Sequence, residues 1–405
     1  MQENSIKIFW LQVFSFFLLI HYAVILYSGS TFLSKTFGEE NIWIIYSISA
    51  ALTIIINLTV TRILRLFNVM KLTRLVLILA FINMLYLYFN HHFFSTGLSY
   101  IIYTILADFL IMLTSIMIED LSQNSVTGTI RGKFISVQHF GLLLATFISS
   151  FVIDIFSFQA IFMTSAIFIF ISYFVFLFFV NNLPKITIHQ KNLIEGFRKI
   201  KNSHDLRNII YAEIGLYIFY SLMIIYIPFK LLESGIPLTT YLGVLLPFAL
   251  LPFLFIPIWL GYFEDQMKDE KEILMFSFVG IILIIILIAF TDSSSIWTWG
   301  LILFMSRIFA SCAETSINSY LFKKIDSTDT AIISIFTSSQ TFAYLVFAPF
   351  FAILTKTADL KTLFLSVSFL LCFVLVLVSK IHDTKNYENH KNWRSIWAKA
   401  KKRVN

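Results

Sequence analysis

Long apolar runs, separated by short polar segments, follow one another along the whole of this 405-residue chain. There are twelve such runs. We number the predicted helices α1 to α12, each bound good to about three residues: 7–28, 42–62, 74–91, 97–119, 134–154, 159–181, 207–230, 239–261, 272–291, 296–319, 331–355 and 361–380. A bilayer core of ~30 Å is crossed by about 20 apolar residues in a helix. The pattern therefore predicts an all-α polytopic membrane protein with twelve transmembrane helices.

The composition excludes a soluble protein of this length. Hydrophobic residues make up 58% of the chain and charged residues 13%, about half the charge usual in soluble domains. No run shows the alternation of a membrane β-barrel strand. Both cysteines lie inside apolar runs without a neighbouring Cys or His pattern, so no disulfide, metal site or cofactor is expected.

The basic residues orient the bundle, because cytoplasmic loops retain Lys and Arg. With both termini in the cytoplasm, 25 of the 30 Lys and Arg residues fall on the inner side. We therefore predict a multi-pass protein of the plasma (inner) membrane with cytoplasmic termini. The net charge of +7 reflects this topology, and no nucleic-acid partner is expected.

The chain divides at its middle. Residues 1–181 and 207–380 each hold six predicted helices, which is typical of an internal duplication. Residues 182–206 form a cytoplasmic linker, in which the segment from Leu193 to Lys201 is a basic amphipathic helix expected to lie flat on the inner membrane surface. Residues 381–405 form a basic tail with a similar pattern, expected to bind anionic lipid.

Three short motifs carry a family resemblance. After α8, Gly261 and Asp265 stand four residues apart in a charged loop, whereas the matching loop after α2 has Arg65 at the place of the acid. The sequence 131–134, RGKF, opens α5, and the segment 228–245 has the form of a tight turn between α7 and α8. With the six-plus-six arrangement, these motifs resemble those of the major facilitator superfamily.

The resemblance implies two pseudo-symmetric six-helix bundles, with α1, α4, α7 and α10 lining a central cavity. It also implies a conformational latch on the cytoplasmic side, formed by Gly261, Asp265 and Arg131. An aspartate at a helix end can accept hydrogen bonds from the N–H groups that begin a neighbouring helix. The nearby Glu264 and Glu270 are expected to be ordinary solvated loop residues.

Two charged residues lie deep inside predicted spans. Asp108 in α4 and Arg307 in α10 are each eleven residues from the outer end, ~16 Å deep at 1.5 Å per residue. Ionisable residues at this depth usually face a cavity or a partner. We predict that the two face each other across a substrate path, either paired or jointly holding a polar solute. The alternative is that Arg307 pairs with Glu314, two turns along the same helix.

Four further side chains are candidates for a substrate or coupling cavity. Glu213 in α7 and Glu314 lie nearer the inner side, where either could bind a coupling proton or reach the interface. His21 and Tyr22 lie in the middle of α1, and a histidine can exchange a proton near neutral pH. The alternative for His21 is a hydrogen bond between helices.

These features predict a secondary transporter that moves a small solute by alternating access, with protons as the default coupling ion. No nucleotide-binding motif or intramembrane metal-ligand set is present, so neither an ATP-driven pump nor an enzyme is expected. A monomer is expected. The alternative is a transporter-like sensor or scaffold that moves nothing, which the altered first loop keeps open. Drug or lipid efflux, uptake of a polar metabolite, and the direction of transport stay open.

Overall fold

The computed structural model describes residues 2–38, 41–90, 92–121, 127–180, 193–267, 270–325, 329–357 and 359–382. Within these ranges, twelve helical segments are long and apolar enough to cross a membrane. In order, α1 to α12 are Ile6–Phe37, Ile42–Val60, Val69–Phe89, Phe93–Leu121, Thr129–Ile155, Ala160–Val180, His204–Glu233, Leu238–Gln266, Glu270–Phe290, Ile296–Lys324, Ala331–Leu354 and Leu360–Val378. The described residues contain no strand. The predicted fold class and the order of the spans are confirmed.

Four of the spans are divided into pieces, and one of them is α6, in which Ala160–Val175 is followed by the wider turn Phe176–Val180. α1 consists of Gln2–Leu26 and Gly29–Phe37, and α7 of His204–Ile225 and Ile227–Glu233. α8 is built from the pieces Leu238–Thr240, Tyr241–Leu245, Leu246–Leu250 and Pro252–Met267, the second of which is a wider turn. Proline has no N–H group to donate along a helix. Pro228 lies at the start of the second piece of α7, and Pro247 and Pro252 lie at the starts of two pieces of α8, so these interruptions occur where a donor is missing. The interruption of α1 contains no proline.

The turn between α7 and α8 has a specific helix-ending geometry. Gly235 adopts a φ of +79°, in the left-handed region. The Ile236 N–H donates to the Leu231 carbonyl at 2.8 Å, and the Gly235 N–H to the Leu232 carbonyl at 3.0 Å. This is the Schellman pattern, in which glycine closes a helix without a Cβ penalty.

The helix packing repeats between the two halves. In the first half α1 packs on α5 and α6, α3 on α4 and α6, and α2 on α4. In the second half α7 packs on α11 and α12, α9 on α10 and α12, and α8 on α10, so each contact recurs six helices later. Between the halves, α5 packs on α8 and α2 packs on α11, two contacts that exchange under the same symmetry. The predicted pseudo-symmetric arrangement is confirmed.

The outward faces of the helices carry large apolar side chains. Phe255 and Trp259 on α8 and Phe276 and Leu283 on α9 are between 60% and 73% exposed. In water such a surface would cause aggregation, whereas in a bilayer these apolar side chains contact the apolar lipid tails. Since the inner faces are also apolar, hydropathy locates the spans but does not show which face of each helix points inward.

The linker helix Leu193–Asn202 is present where the sequence predicts a helix. The prediction that its whole apolar face rests on the membrane surface is wrong, because part of this face packs against the protein and part is exposed. Gly196 and Ile200 are buried, and the helix packs on the start of α11, whereas Ile194 and Phe197 are exposed. Only the exposed pair can contact a membrane surface. The predicted tail helix lies outside the described residues.

α12 begins at an aspartate cap that supports a first prediction. The Asp359 carboxylate accepts hydrogen bonds from the Thr362 N–H at 2.9 Å and from its hydroxyl at 2.6 Å. These bonds lower the pKa of Asp359, so the cap stabilises α12 above the ordinary aspartate pKa and is lost as the pH falls through the lower folded value. We expect Asp359→Ala to lower the melting temperature at pH 7 and Asp359→Asn to keep it, measured by thermal unfolding in detergent. An equal loss in both variants would contradict the cap.

Candidate functional site

A cavity of about 220 Å³ lies at the centre of the bundle, between the two halves. Its described wall residues come from α1, α2, α4 and α5 of the first half and from α7, α8, α10 and α11 of the second. Four of these eight helices, α1, α4, α7 and α10, are those that the family resemblance implied as lining the cavity. The other four are those that pack across the interface between the halves, so a relative movement of the halves changes the shape of the cavity.

Tyrosine is the commonest residue type in the cavity wall. Eight of the described lining residues are tyrosines: Tyr22, Tyr27, Tyr46, Tyr100, Tyr103, Tyr217, Tyr220 and Tyr344. A tyrosine presents an aromatic face with a hydroxyl at its tip. The wall therefore offers flat apolar surface together with hydrogen-bonding groups at its margins. The sequence indicated only that aromatic residues cluster on α7.

Asp108 lies on the α4 wall and contacts the opposite half. Its carboxylate accepts a hydrogen bond from the Thr341 hydroxyl of α11 at 3.3 Å. Counted along the helix, Asp108 is fifteen residues from the start of α4 at Phe93, because α4 begins earlier than predicted. Arg307 is eleven residues from the start of α10 at Ile296. The two residues line one cavity, but their depths below the outer helix ends differ by about 6 Å.

Arg307 lies on the α10 wall and is only 3% exposed. Among the described residues no carboxylate oxygen lies within 4.0 Å of its guanidinium, and its buried Nε has no hydrogen-bond partner. The rings of Phe219 and Tyr220 are its aromatic neighbours, each with its centroid 5.9 Å from the guanidinium carbon. The structure therefore contains neither of the two predicted ion pairs, that with Asp108 or that with Glu314.

Glu314 joins the two halves near the inner part of the cavity. Its Oε2 accepts a hydrogen bond from the Tyr220 hydroxyl at 2.6 Å. The same oxygen lies 3.8 Å from Nε2 of His139, which belongs to α5 of the other half. The His139 ring stacks on Phe253 of α8 at 4.0 Å between centroids, so it is held between the halves.

Of two other predicted residues, Tyr22 lies in the cavity wall and Glu213 lies behind it. Tyr22 lines the cavity, and its backbone carbonyl accepts a hydrogen bond from the Tyr103 hydroxyl at 3.1 Å. Glu213 is 1% exposed and is not among the described lining residues, because Gln340 covers it. The Gln340 amide donates to Glu213 Oε1 at 2.7 Å. Glu213 thus reaches the cavity only through Gln340.

His21 lies away from the cavity, contrary to the prediction that it lines it. Its side chain is fully buried between α1 and α6, where Nδ1 is 2.5 Å from the Ser165 hydroxyl. The Ser165 hydroxyl also lies 3.0 Å from the His21 carbonyl. This is the hydrogen bond between helices that the sequence left as the alternative. Its partner is 144 residues away, so no local pattern in the sequence identifies it.

The inner end of the bundle, defined by the α4–α5 and α8–α9 connections, holds the residues predicted to form a latch. Asp265 at the end of α8 accepts hydrogen bonds from the Thr129 N–H at 2.7 Å and from the Thr129 hydroxyl at 2.8 Å. Thr129 stands at the start of α5, so an acid of one half binds the free N–H of a helix start in the other. Gly261 is buried one turn before Asp265. We call the Asp265–Thr129 contact the inner latch.

Arg131 holds a second contact between the halves at this end. Its guanidinium forms an ion pair with Glu119 of its own half at 2.8 Å. Its guanidinium carbon lies 3.4 Å from the centroid of the Phe322 ring on α10. Glu119 therefore positions Arg131 against an aromatic ring of the opposite half, a contact that the RGKF motif alone did not identify.

Glu264 and Glu270 are buried, contrary to the prediction that they are solvated. They are 0% and 1% exposed, respectively. Lys323 compensates the buried Glu270, since its Nζ lies 3.1 Å from the Glu270 carboxylate and 3.2 Å from that of Asp265. The same Nζ donates to the Glu264 backbone carbonyl oxygen at 2.9 Å. The Glu264 carboxylate also accepts a hydrogen bond from Ser316. α10 continues to Lys324, five residues past its predicted end, and so carries the lysine beneath the loop.

Twelve membrane-spanning helices in two related halves, with a cavity between them, define a polytopic membrane transporter. The sequence pattern described as "Major Facilitator Superfamily" matches residues 109–340, more than half of the chain. The chain belongs to this family. None of the curated protein sequences compared with the chain matches it.

Solved structures of two transporters share the fold. The crystal structure of the human organic anion transporter MFSD10 (TETRAN) superposes with a TM-score of 0.72 at 10% identity, covering 93% of this chain and 99% of that one. A single-residue variant of the nucleoside transporter NupG gives 0.71 at 15% identity, covering 92% and 100%. Unaltered NupG gives 0.69 at 15% identity, covering 93% and 100%.

Proposed function

We propose that this transporter is a secondary active carrier, which moves a small solute by alternating access and couples that movement to protons. The observation that carries the proposal is the central cavity, whose wall is shared between the two halves. The inner latch and the Arg131–Phe322 contact join the halves between this cavity and the side predicted to be cytoplasmic. Membership of the family and the transport named for MFSD10 and NupG support it.

Breakable contacts at the inner end support alternating access. The inner latch consists of hydrogen bonds and not of interlocked apolar packing, so it can form and break as the halves rock. His139 lines the cavity ten residues beyond Thr129 along α5, which corresponds to about 15 Å. Separation of α5 from α8 at the latch would therefore open a path of this length to the cavity.

The His139–Glu314 contact supports proton coupling. Nδ1 of His139 lies 2.9 Å from the Ile135 carbonyl, which can only accept, so Nδ1 carries a hydrogen. In neutral His139 the Nε2 lone pair would then face the Glu314 carboxylate at 3.8 Å. That arrangement is favourable only when a proton resides on one of the two groups. The pair belongs to opposite halves, so the proton's position and the separation of the halves affect each other.

A pH-jump experiment tests the coupling. Solutes from a metabolite and drug panel that stabilise the purified protein against heat are supplied to proteoliposomes containing a pH-sensitive dye. We expect wild-type protein to move protons with the solute, and Glu314→Gln to exchange solute across the membrane without proton movement, because the amide cannot bind a proton. Glu272→Gln on the exposed face of α9 is the matched control and should couple normally.

The outcome also separates the transporter from the sensor or scaffold that the altered loop after α2 leaves open. Solutes that bind without crossing the membrane in any vesicle would favour the sensor and count against the transport cycle. Proton movement that persists in Glu314→Gln would overturn this coupling site alone.

A further inference from the structure

Among the described residues, Arg307 has no carboxylate at ion-pair distance. Its side chain is buried, no described carboxylate lies within 4.0 Å, and its Nε has no hydrogen-bond partner. An arginine in a protein cannot release its proton, so it cannot become neutral as a buried acid can. A buried charge without a partner is unfavourable. Arg307 is therefore a group that a bound anion would satisfy.

The acids around the cavity already have other partners. Asp108 accepts the Thr341 hydroxyl, and Glu213 accepts the Gln340 amide. Glu314 accepts the Tyr220 hydroxyl at 2.6 Å and faces His139. Each of these acids can also take up a proton, and then needs no cation. The aromatic rings beside Arg307 are 5.9 Å away and give only part of the compensation.

We propose that the cavity binds an organic monocarboxylate, with the carboxylate on Arg307 and a flat apolar body among the tyrosines. This inference rests on the proposed function and names its substrate class. A carboxylate matches the two-pronged hydrogen-bonding edge of a guanidinium. Arg307 is the one Lys or Arg among the described lining residues, so the site balances a single negative charge and not a phosphate dianion.

The tyrosine-rich wall determines the rest of the ligand. Aromatic side chains bind flat, apolar ring systems by stacking and edge contacts. The phenol hydroxyls and the Asp108–Thr341 pair also belong to the cavity wall and can form hydrogen bonds to a polar group on the ring system. The binding site is thus selective for the negative charge that contacts Arg307 and tolerates polar groups elsewhere on the ligand.

Three probes with one ring system test the inference on the purified full-length protein. They are 2-naphthoate, the neutral 2-naphthamide and the cationic 2-naphthylmethylamine, and binding is measured by thermal shift and by quenching of tryptophan fluorescence. We expect naphthoate to bind, and the amide and the amine to bind roughly 10- to 100-fold more weakly, since each lacks a charge-assisted bond to Arg307. Octanoate, which has a carboxylate but no ring, should also be weaker.

Variants then assign the charge preference to a residue. Arg307→Gln should bind naphthoate no better than naphthamide, whereas Arg307→Lys should keep the preference at reduced affinity. Lys230→Gln is the matched control, because Lys230 is a buried cation paired with Asp292 at 2.8 Å and is not among the lining residues. It should behave as the wild type. If Arg307→Gln does not fold, binding of the three probes to Arg307→Lys still measures the preference for naphthoate over the amide and the amine.

An amide or amine that binds as well as naphthoate to the wild type would overturn the inference, as would failure of naphthoate to bind. A naphthoate preference that survives in Arg307→Gln would overturn it too. These failures are distinct from failure of the proposed function. A protein that rejects all naphthoates but moves another solute with protons remains a transporter with a different substrate class.

Discussion

Replacing Arg307 with glutamine is expected to abolish transport and, at the same time, to raise the thermal stability of the empty protein. The loss of activity follows from removal of the single permanent cation among the described residues of the cavity wall. The charge pair that is lost is the one between Arg307 and the carboxylate of the bound solute. Truncating one member of a buried charge pair commonly costs 2–5 kcal/mol, so solute flux should fall by roughly 100-fold or more. The gain in stability follows from removal of a buried charge that has no carboxylate within 4.0 Å among the described residues when the cavity is empty.

The expected rise in melting temperature is roughly 2–5 °C for Arg307→Gln, measured by scanning fluorimetry of detergent-purified protein without added solute. Asp108→Asn is the informative comparison. It should also lose transport, but its melting temperature should change little, because an asparagine oxygen can still accept the Thr341 hydroxyl. Asp108 can also lose its charge by protonation in the wild type.

Two outcomes would contradict this account of Arg307. If Arg307→Gln transports at the wild-type rate, Arg307 does not take part in solute binding. A variant that is inactive and also strongly destabilised would show that Arg307 has a structural partner in the protein. Arg307→Lys separates these possibilities further, because it keeps the charge and removes the two-pronged edge.

The spans and their division into two halves could be predicted because they depend on properties that are local in the sequence. Apolar length defines each span, and the charge distribution divides the chain into two halves of six. Asp265 could be predicted in part for the same reason, since an acid at a helix end needs only the free N–H groups of a nearby helix start, here that of Thr129. The depth of a residue below the helix end was less certain, as the earlier start of α4 shows for Asp108.

The contacts that the sequence could not give are those between distant helices. Glu264 and Glu270 looked solvated because the loop is rich in charge, and only the extended end of α10 brings Lys323 to them. His21 was equally compatible with the cavity or with a neighbouring helix, and the rotation of α1 that places it against Ser165 leaves no mark in an apolar sequence. The roles of Asp108 and Arg307 in binding stay predictions. The structure adds that both residues line the same cavity, Asp108 from α4 and Arg307 from α10.

The contact between α5 and α8 at the inner end supports the last prediction. A Cβ atom placed on Gly132 would lie 2.1 Å from the Pro257 carbonyl oxygen and 2.8 Å from its carbon, both of which are backbone atoms. Only glycine therefore permits the close approach of the two helices beside the inner latch. Gly132→Ala forces the helices apart by roughly 1 Å, and such overpacking costs about 1–3 kcal/mol in the closed form.

Gly132→Ala is thus expected to shift the protein toward a form open at the inner end, by about 5- to 150-fold in population, and to slow or stop transport. The opening is measured as a spin-label distance between Lys71→Cys and Gln266→Cys, exposed positions near the inner ends of α3 and α8, with Cys312 and Cys372 replaced by serine. The distance distribution should move to longer values.

A matched control lies on the same helix pair at the outer end. A Cβ on Gly243 would meet the Ser150 hydroxyl at 2.9 Å, and this is a side-chain atom that can rotate away. Gly243→Ala should therefore leave the inner distance distribution unchanged. If Gly132→Ala also leaves it unchanged while the protein remains folded, close packing of α5 on α8 does not control opening at the inner end. If both variants widen it equally, the effect belongs to the helix pair as a whole and not to the contact beside the inner latch.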